Sequence, residues 1–186
     1  MNDYAVIFIN YVEEIGRINK FVGKLKQEQS FDEDLIYRMV LSYAISIMDA
    51  FLGNTFRYYI KTYPLFRTQY MRWKIRKTKI SETDELKRLE HQSFQNLAIT
   101  VIPYYKHAFG IEIPLYDIIQ KAVNIRNSVV HNNGREKDGY KNEVTLAFIE
   151  ELIPQIEKLV IFVYQQMIDV FSENIVSARV IKNSLR

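Results

Sequence analysis

The chain has 186 residues, 48% apolar and 25% charged, a balance that suits one globular domain with a core and argues against disorder. It has no cysteine, which excludes disulfides and thiolate metal sites and makes the cytoplasm the expected compartment. The net charge of +3 says little about partners by itself, but the distribution is uneven: from Arg57 to Lys79 there are eight Lys or Arg and no Asp or Glu.

Glycine (6) and proline (4) are scarce, so long helices are expected rather than many short strands. Met1-Asn2-Asp3 puts an acid where a secretory leader carries bases. The longest apolar run, Leu159–Tyr164, falls short of the roughly 18 residues of a membrane span. Neither a leader nor a span is expected.

A first helix is predicted over 3–27, with Val6, Ile9, Val12, Ile15, Ile18, Val22 and Leu25 as its apolar stripe. Ser30 precedes Phe31-Asp32-Glu33-Asp34, a cap followed by acids that offset the positive end of the next helix. That helix should run from about Asp32 to Thr62 and stop at Tyr63-Pro64, because a residue before proline is pushed out of helical geometry. Residues 65–79 are basic and aromatic and partly helical by pattern. Ser81-Glu82-Thr83-Asp84 reads as the cap of a third helix, from about Asp84 to His107, which Pro103 would bend or end.

Phe109–Pro114 reads as a connecting loop. A fourth helix follows over 115–131, burying Leu115, Ile118, Ile119, Ala122, Val123 and Val130. Asn132-Asn133-Gly134 is a stop signal, since Asn and Gly tolerate the left-handed conformation of a C-cap. After a polar loop, the last helix runs from about Thr145 to Ser177 with Pro154 inside it. The sum is an all-α fold, a single helical domain over 1–186 arranged as an antiparallel bundle of four to five helices.

The segment Arg126–Gly134 carries the chemistry. Asn127 and His131 are four apart and share a helix face, whereas Arg126 and His131 are separated by about 140° around the axis. Arg126 and His131 converge if the last turn unwinds, or if two copies of the helix pool side chains across a two-fold axis. These residue types suit RNA transesterification. A histidine takes the ribose 2′-hydroxyl proton or gives one to the leaving 5′-oxygen. An arginine forks onto the phosphorane, and an asparagine orients either group. The plain alternative is a capping role for His131, whose cation complements the negative helix end. His91, His107 and His131 form no cluster at metal spacing, so no metal or cofactor is expected. His91 and His107 read as surface or cap residues. Ser42 and Ser128 have no triad partners, and no glycine-rich phosphate loop is present.

Arg126, Asn127 and His131, at the end of a late helix and followed by Asn-Asn-Gly, resemble the HEPN family motif of Arg, a polar residue and a His four to six residues after the Arg. The earlier helix segment Leu41–Leu52 is similar to the family helix that carries an acid facing the site, and Asp49 is the matching position, where many relatives have Glu. The resemblance spans roughly residues 35–170. It implies a metal-independent endoribonuclease, of a family that includes toxins and phage-defence effectors, acting as a homodimer with its motifs face to face. Arg126, Asn127, His131 and Asp49 are then the catalytic set, and an antitoxin or regulatory protein is the implied partner. The family also includes non-catalytic modules that bind RNA or a protein.

In the basic segment, cations alternate with Tyr58, Tyr59, Tyr63, Phe66, Tyr70 and Trp73. Phosphates attract the cations, and unpaired bases stack on rings. The spacing of Tyr59, Tyr63 and Phe66, and of Tyr70 and Trp73, fits a buried stripe, so the basic face is the better RNA contact. Arg72, Lys74, Arg76 and Lys77 are its densest part.

Overall fold

A computed structural model describes residues 3–26, 33–92, 94, 96–132 and 143–184, with the side chains of 3, 129–132 and 173–184 excepted. Among these residues the chain is all helical: α1 (Asp3–Leu25), α2 (Glu33–Thr62), α3 (Pro64–Thr78), α4 (Glu82–His91), α5 (Ile102–Phe109), α6 (Asp117–Asn132) and α7 (Leu146–Ser184), with a π-helical turn, Leu97–Val101, leading into α5.

The predicted stripe of α1 shifts. Tyr4, Tyr11, Ile15, Ile18 and Val22 are buried, while Val6, Ile9 and Val12 are exposed. Residues three apart fall back about 60° per step, so 6, 9, 12 and 15 rotate across the helix instead of tracking one face. Spacings that alternate between three and four hold the face, and Phe8 stacks on Tyr164 of α7 at 3.9 Å.

α2 is the central helix. It begins with Glu33 and Asp34 in its first turn and buries residues over most of its circumference, from Tyr37 to Ile60. It is apolar and long enough to cross a membrane by composition, with a window mean hydropathy of 1.5, half of it buried inside the fold. Contact with α1, α3, α6 and α7 accounts for that composition. Phe56, fully buried, meets Tyr70, Phe94, Tyr104, Tyr105 and Phe109. Tyr105 donates its hydroxyl proton to the Leu52 carbonyl at 2.8 Å.

The expected third helix is two helices. α4 starts where Ser81 Oγ accepts from the Asp84 amide at 3.2 Å, as its sequence predicts, but it ends at His91. Pro103 lies at the start of α5, where a missing N–H costs nothing. The break upstream is set by α2. Arg57 donates to the carbonyls of Leu89 at 2.9 Å and Gln92 at 2.7 Å, and its guanidinium lies 5.0 Å from the Phe94 ring centroid. Gly53, one turn before Arg57, leaves room for that ring: a Cβ there would lie 3.0 Å from Phe94 Cδ2.

α5 stops at Gly110, which adopts the left-handed φ of 74°. In α6, Ile119, Ala122 and Val123 are buried as predicted, together with Ile125 and Arg126, whereas Ile118 is half-buried and Leu115, which precedes the helix, is exposed. Val130 has a side chain outside the described residues. α7 presents a continuous apolar face to the core: Ile153, Ile156, Leu159, Val160, Val163 and Met167 are all buried.

Candidate functional site

Arg126 and Asp49 come from helices 77 positions apart and meet in the interior. Arg126 Nη1 donates to Asp49 Oδ2 at 3.1 Å, with the two side chains 7% and 9% exposed. Asp49 sits on the buried face of α2 beside Met48 and Leu52. Arg126 takes the same role on α6, one turn after Ala122 and Val123. Two helices with otherwise apolar contact faces thus enclose one ion pair. Such a pair is geometrically specific, because a buried charge without its partner is costly.

Asn127 joins this pair. Its Oδ1 accepts from Arg126 Nε at 3.1 Å, so the amide holds the guanidinium on the side opposite the carboxylate contact. Asp49 Oδ1, by contrast, is buried without a hydrogen-bond donor among the described residues. Burial pushes the Asp49 carboxyl up to about 6, and Arg126, by charge and hydrogen bond, pulls the other way without cancelling it. The acid therefore titrates close to neutrality.

Three of the four expected catalytic residues are accordingly in contact. The fourth, His131, belongs to the last turn of α6 by backbone, while its side chain lies outside the described residues. The Asn133-Gly134 stop lies outside the described residues altogether.

The basic segment divides. Arg72, Arg76 and Lys77 are exposed on α3, as their grouping anticipates. Lys74 is not: it is buried at 7%, which corrects its place among the RNA-facing cations. It lies three and four residues after Met71 and Tyr70 and so shares their inward face. Its ammonium donates to Tyr104 Oη at 2.8 Å and stands 3.8 Å from Glu85 Oε1. Of the rings in the expected buried stripe, Tyr59, Phe66 and Tyr70 are buried and Tyr63 and Trp73 half-buried.

Glu85 is the centre of a second polar cluster that the sequence pattern does not single out. It is fully buried, and both its oxygens accept from Arg88 at 2.9 Å. The Tyr70 hydroxyl also donates to it. Burial raises the Glu85 carboxyl, but the hydrogen bonds from Arg88 and Tyr70 and the charge of Lys74 outweigh it, holding the group below its usual range. Tyr104 Oη accepts from Arg88 at 3.0 Å and donates to Gln92 at 3.0 Å. This network ties α3, α4 and α5 together. Its one sequence signal is Leu89, four residues after Glu85, which puts the acid on the apolar side of α4.

No family model matches the chain, and neither a curated protein nor a solved structure matches it.

Proposed function

We propose that the chain is a metal-independent endoribonuclease of the HEPN type, with the antiparallel bundle of that family, active as a cytoplasmic homodimer. The observation that carries the reading is the contact of Arg126 with both Asp49 and Asn127. A family carry-over that picks one acid from α2 and one arginine from α6 selects residues that touch, 77 positions apart.

In this reading His131 takes the 2′-hydroxyl proton as the 2′-oxygen bonds to phosphorus. The proton is returned to the 5′-oxygen as the P–O5′ bond breaks, by the same histidine or by its copy across the dimer. Arg126 stabilises the phosphorane charge, and Asp49 and Asn127 fix the guanidinium in place. The products carry a 2′,3′-cyclic phosphate and a 5′-hydroxyl. The exposed apolar side chains Leu35 and Met39 of α2 offer a surface for a second copy to cover. Arg72, Arg76 and Lys77 hold the RNA backbone. A toxin or phage-defence role, with an antitoxin or regulatory protein as partner, belongs to the same reading.

Cleavage assays in EDTA decide the matter. Wild type is expected to cut RNA, and His131→Ala to lose the activity while remaining folded; Arg126→Ala should lose it as well, together with the stability that its pairing with buried Asp49 supplies. Mutants that cleave as well as wild type, or cleavage that requires Mg²⁺, overturn the mechanism.

The burial of Arg126 favours a second reading, in which the pair is an internal brace and the domain binds RNA or a protein without turnover. That version retains RNA affinity and shows no product on any RNA in EDTA.

A further inference from the structure

Trp73 is the single tryptophan of the chain, half-buried on the flank of α3. Its indole stacks on the imidazole of His107 from α5, centroids 4.4 Å apart and planes 14° apart. The ammonium groups of Lys77 and Lys74 stand 5.5 Å and 5.4 Å from the centroid of the same indole. His107 is exposed.

The surroundings are cationic. Each helical residue advances about 100°, so Lys77 lies about 40° from Trp73 on one side, with Arg76 and Arg72 about 60° and 100° away toward the outer face. All three are exposed, and no acid pairs with them among the described residues. On α5, Lys106 is taken up by Glu112 at 2.6 Å, and Tyr104 by Lys74, Arg88 and Gln92. Lys74 is held internally by Glu85 and Tyr104. Of the two α3 cations over the Trp73 ring, Lys74 is thus committed to the interior and Lys77 is open to solvent.

A flat ring, rigidly backed by a second ring and bordered by open cations, is what an unpaired nucleotide requires. The base stacks on the ring while its phosphates meet the cations. We infer that His107 is a stacking platform for one unpaired base of single-stranded RNA, whose phosphates run along Lys77, Arg76 and Arg72. This rests on the reading of RNA as the substrate class and adds a residue outside the Arg126–His131 motif. A ring N–H of the imidazole can also donate to a phosphate.

Trp73 is an internal reporter. The probe is a 2′-O-methyl oligouridine, which lacks the attacking hydroxyl and so reads binding apart from cleavage. Wild type is expected to bind it with a change in Trp73 emission at saturation. His107→Ala should weaken binding by about tenfold, the scale of one lost stacking partner. His107→Phe should restore stacking and most of the wild-type affinity. The platform is overturned if His107→Ala keeps the wild-type affinity, or if Trp73 emission ignores the bound oligonucleotide. Wild type that binds with this change in emission yet cleaves no RNA keeps the platform and sinks the ribonuclease reading. Cleavage with an unchanged KM in His107→Ala does the reverse.

Discussion

Asp49→Asn, which removes the charge and keeps the shape, makes a sharp test of the α2–α6 ion pair. The carboxyl rises from an ordinary 3.8 to about 6 in the folded chain, so between those values the folded state binds a proton that the unfolded state has released. Stability from this group is therefore full below about pH 4 and declines as pH climbs through about 6. At about 1.4 kcal/mol per pH unit, the decline amounts to about 3 kcal/mol. The assay is urea denaturation of wild type and Asp49→Asn at closely spaced pH values from 3.5 to 7.5. Subtracting the two curves removes the contributions of the other carboxylates. The difference should fall by about 3 kcal/mol across the window and stay flat above it, leaving Asp49→Asn the more stable relative to wild type as pH rises. A flat difference, or one that climbs with pH, refutes the argument. A climb would mean that Arg126 outweighs burial and that the acid is ionised well below neutrality.

Other outcomes follow from the same contacts. Arg126→Met strands a buried carboxylate and should cost about 3–5 kcal/mol at pH 7, and less at pH 5 where Asp49 takes up a proton. Asp49→Leu with Arg126→Met replaces the pair by apolar volume and should recover most of that loss, as a double-mutant cycle measures. Glu85→Ala leaves the Tyr70 hydroxyl buried without its acceptor and the Lys74 ammonium without its counter-charge and should cost about 3 kcal/mol in thermal or chemical denaturation. Charge reversal at Arg76 and Lys77 should weaken single-stranded RNA binding by at least about tenfold and flatten its salt dependence, with stability unchanged. Lys74→Ala should do the opposite, lowering stability first.

Much of the fold is legible in the sequence where a single face is consistently apolar. α7 is the clearest case, because its 153, 156, 160, 163 and 167 positions keep the helical period without interruption. α1 shows the limit of that approach, since two apolar series overlap on it and only tertiary contact with α2 and α7 chooses between them. Arg126 shows another limit. Its charge suggests the surface, yet the acid that lets it enter the core lies on a different helix, and local pattern carries no trace of such a partner. The resemblance that points to Asp49 supplies what periodicity lacks. Lys74 is hidden from sequence reading for the same reason, because Glu85 and Tyr104, which receive it, are 11 and 30 residues downstream.

The bend after α4 has a further consequence. Residues 92–96 contain no glycine or proline, yet the helix stops there, beneath a guanidinium and beside a glycine that both belong to α2. The instruction to turn is thus written some forty residues before the place that turns. Two positions on a straight helix, Gly53 and Arg57, act as the mould for a corner elsewhere, and a lysine at 57 could not span both carbonyls as a planar fork does. An alanine at 53 or a lysine at 57 would leave α2 itself helical and instead redirect the chain between α4 and α5. Those two helices carry Glu85, Tyr104 and His107, so the path of α4 and α5 is inherited from the central helix on which they fold.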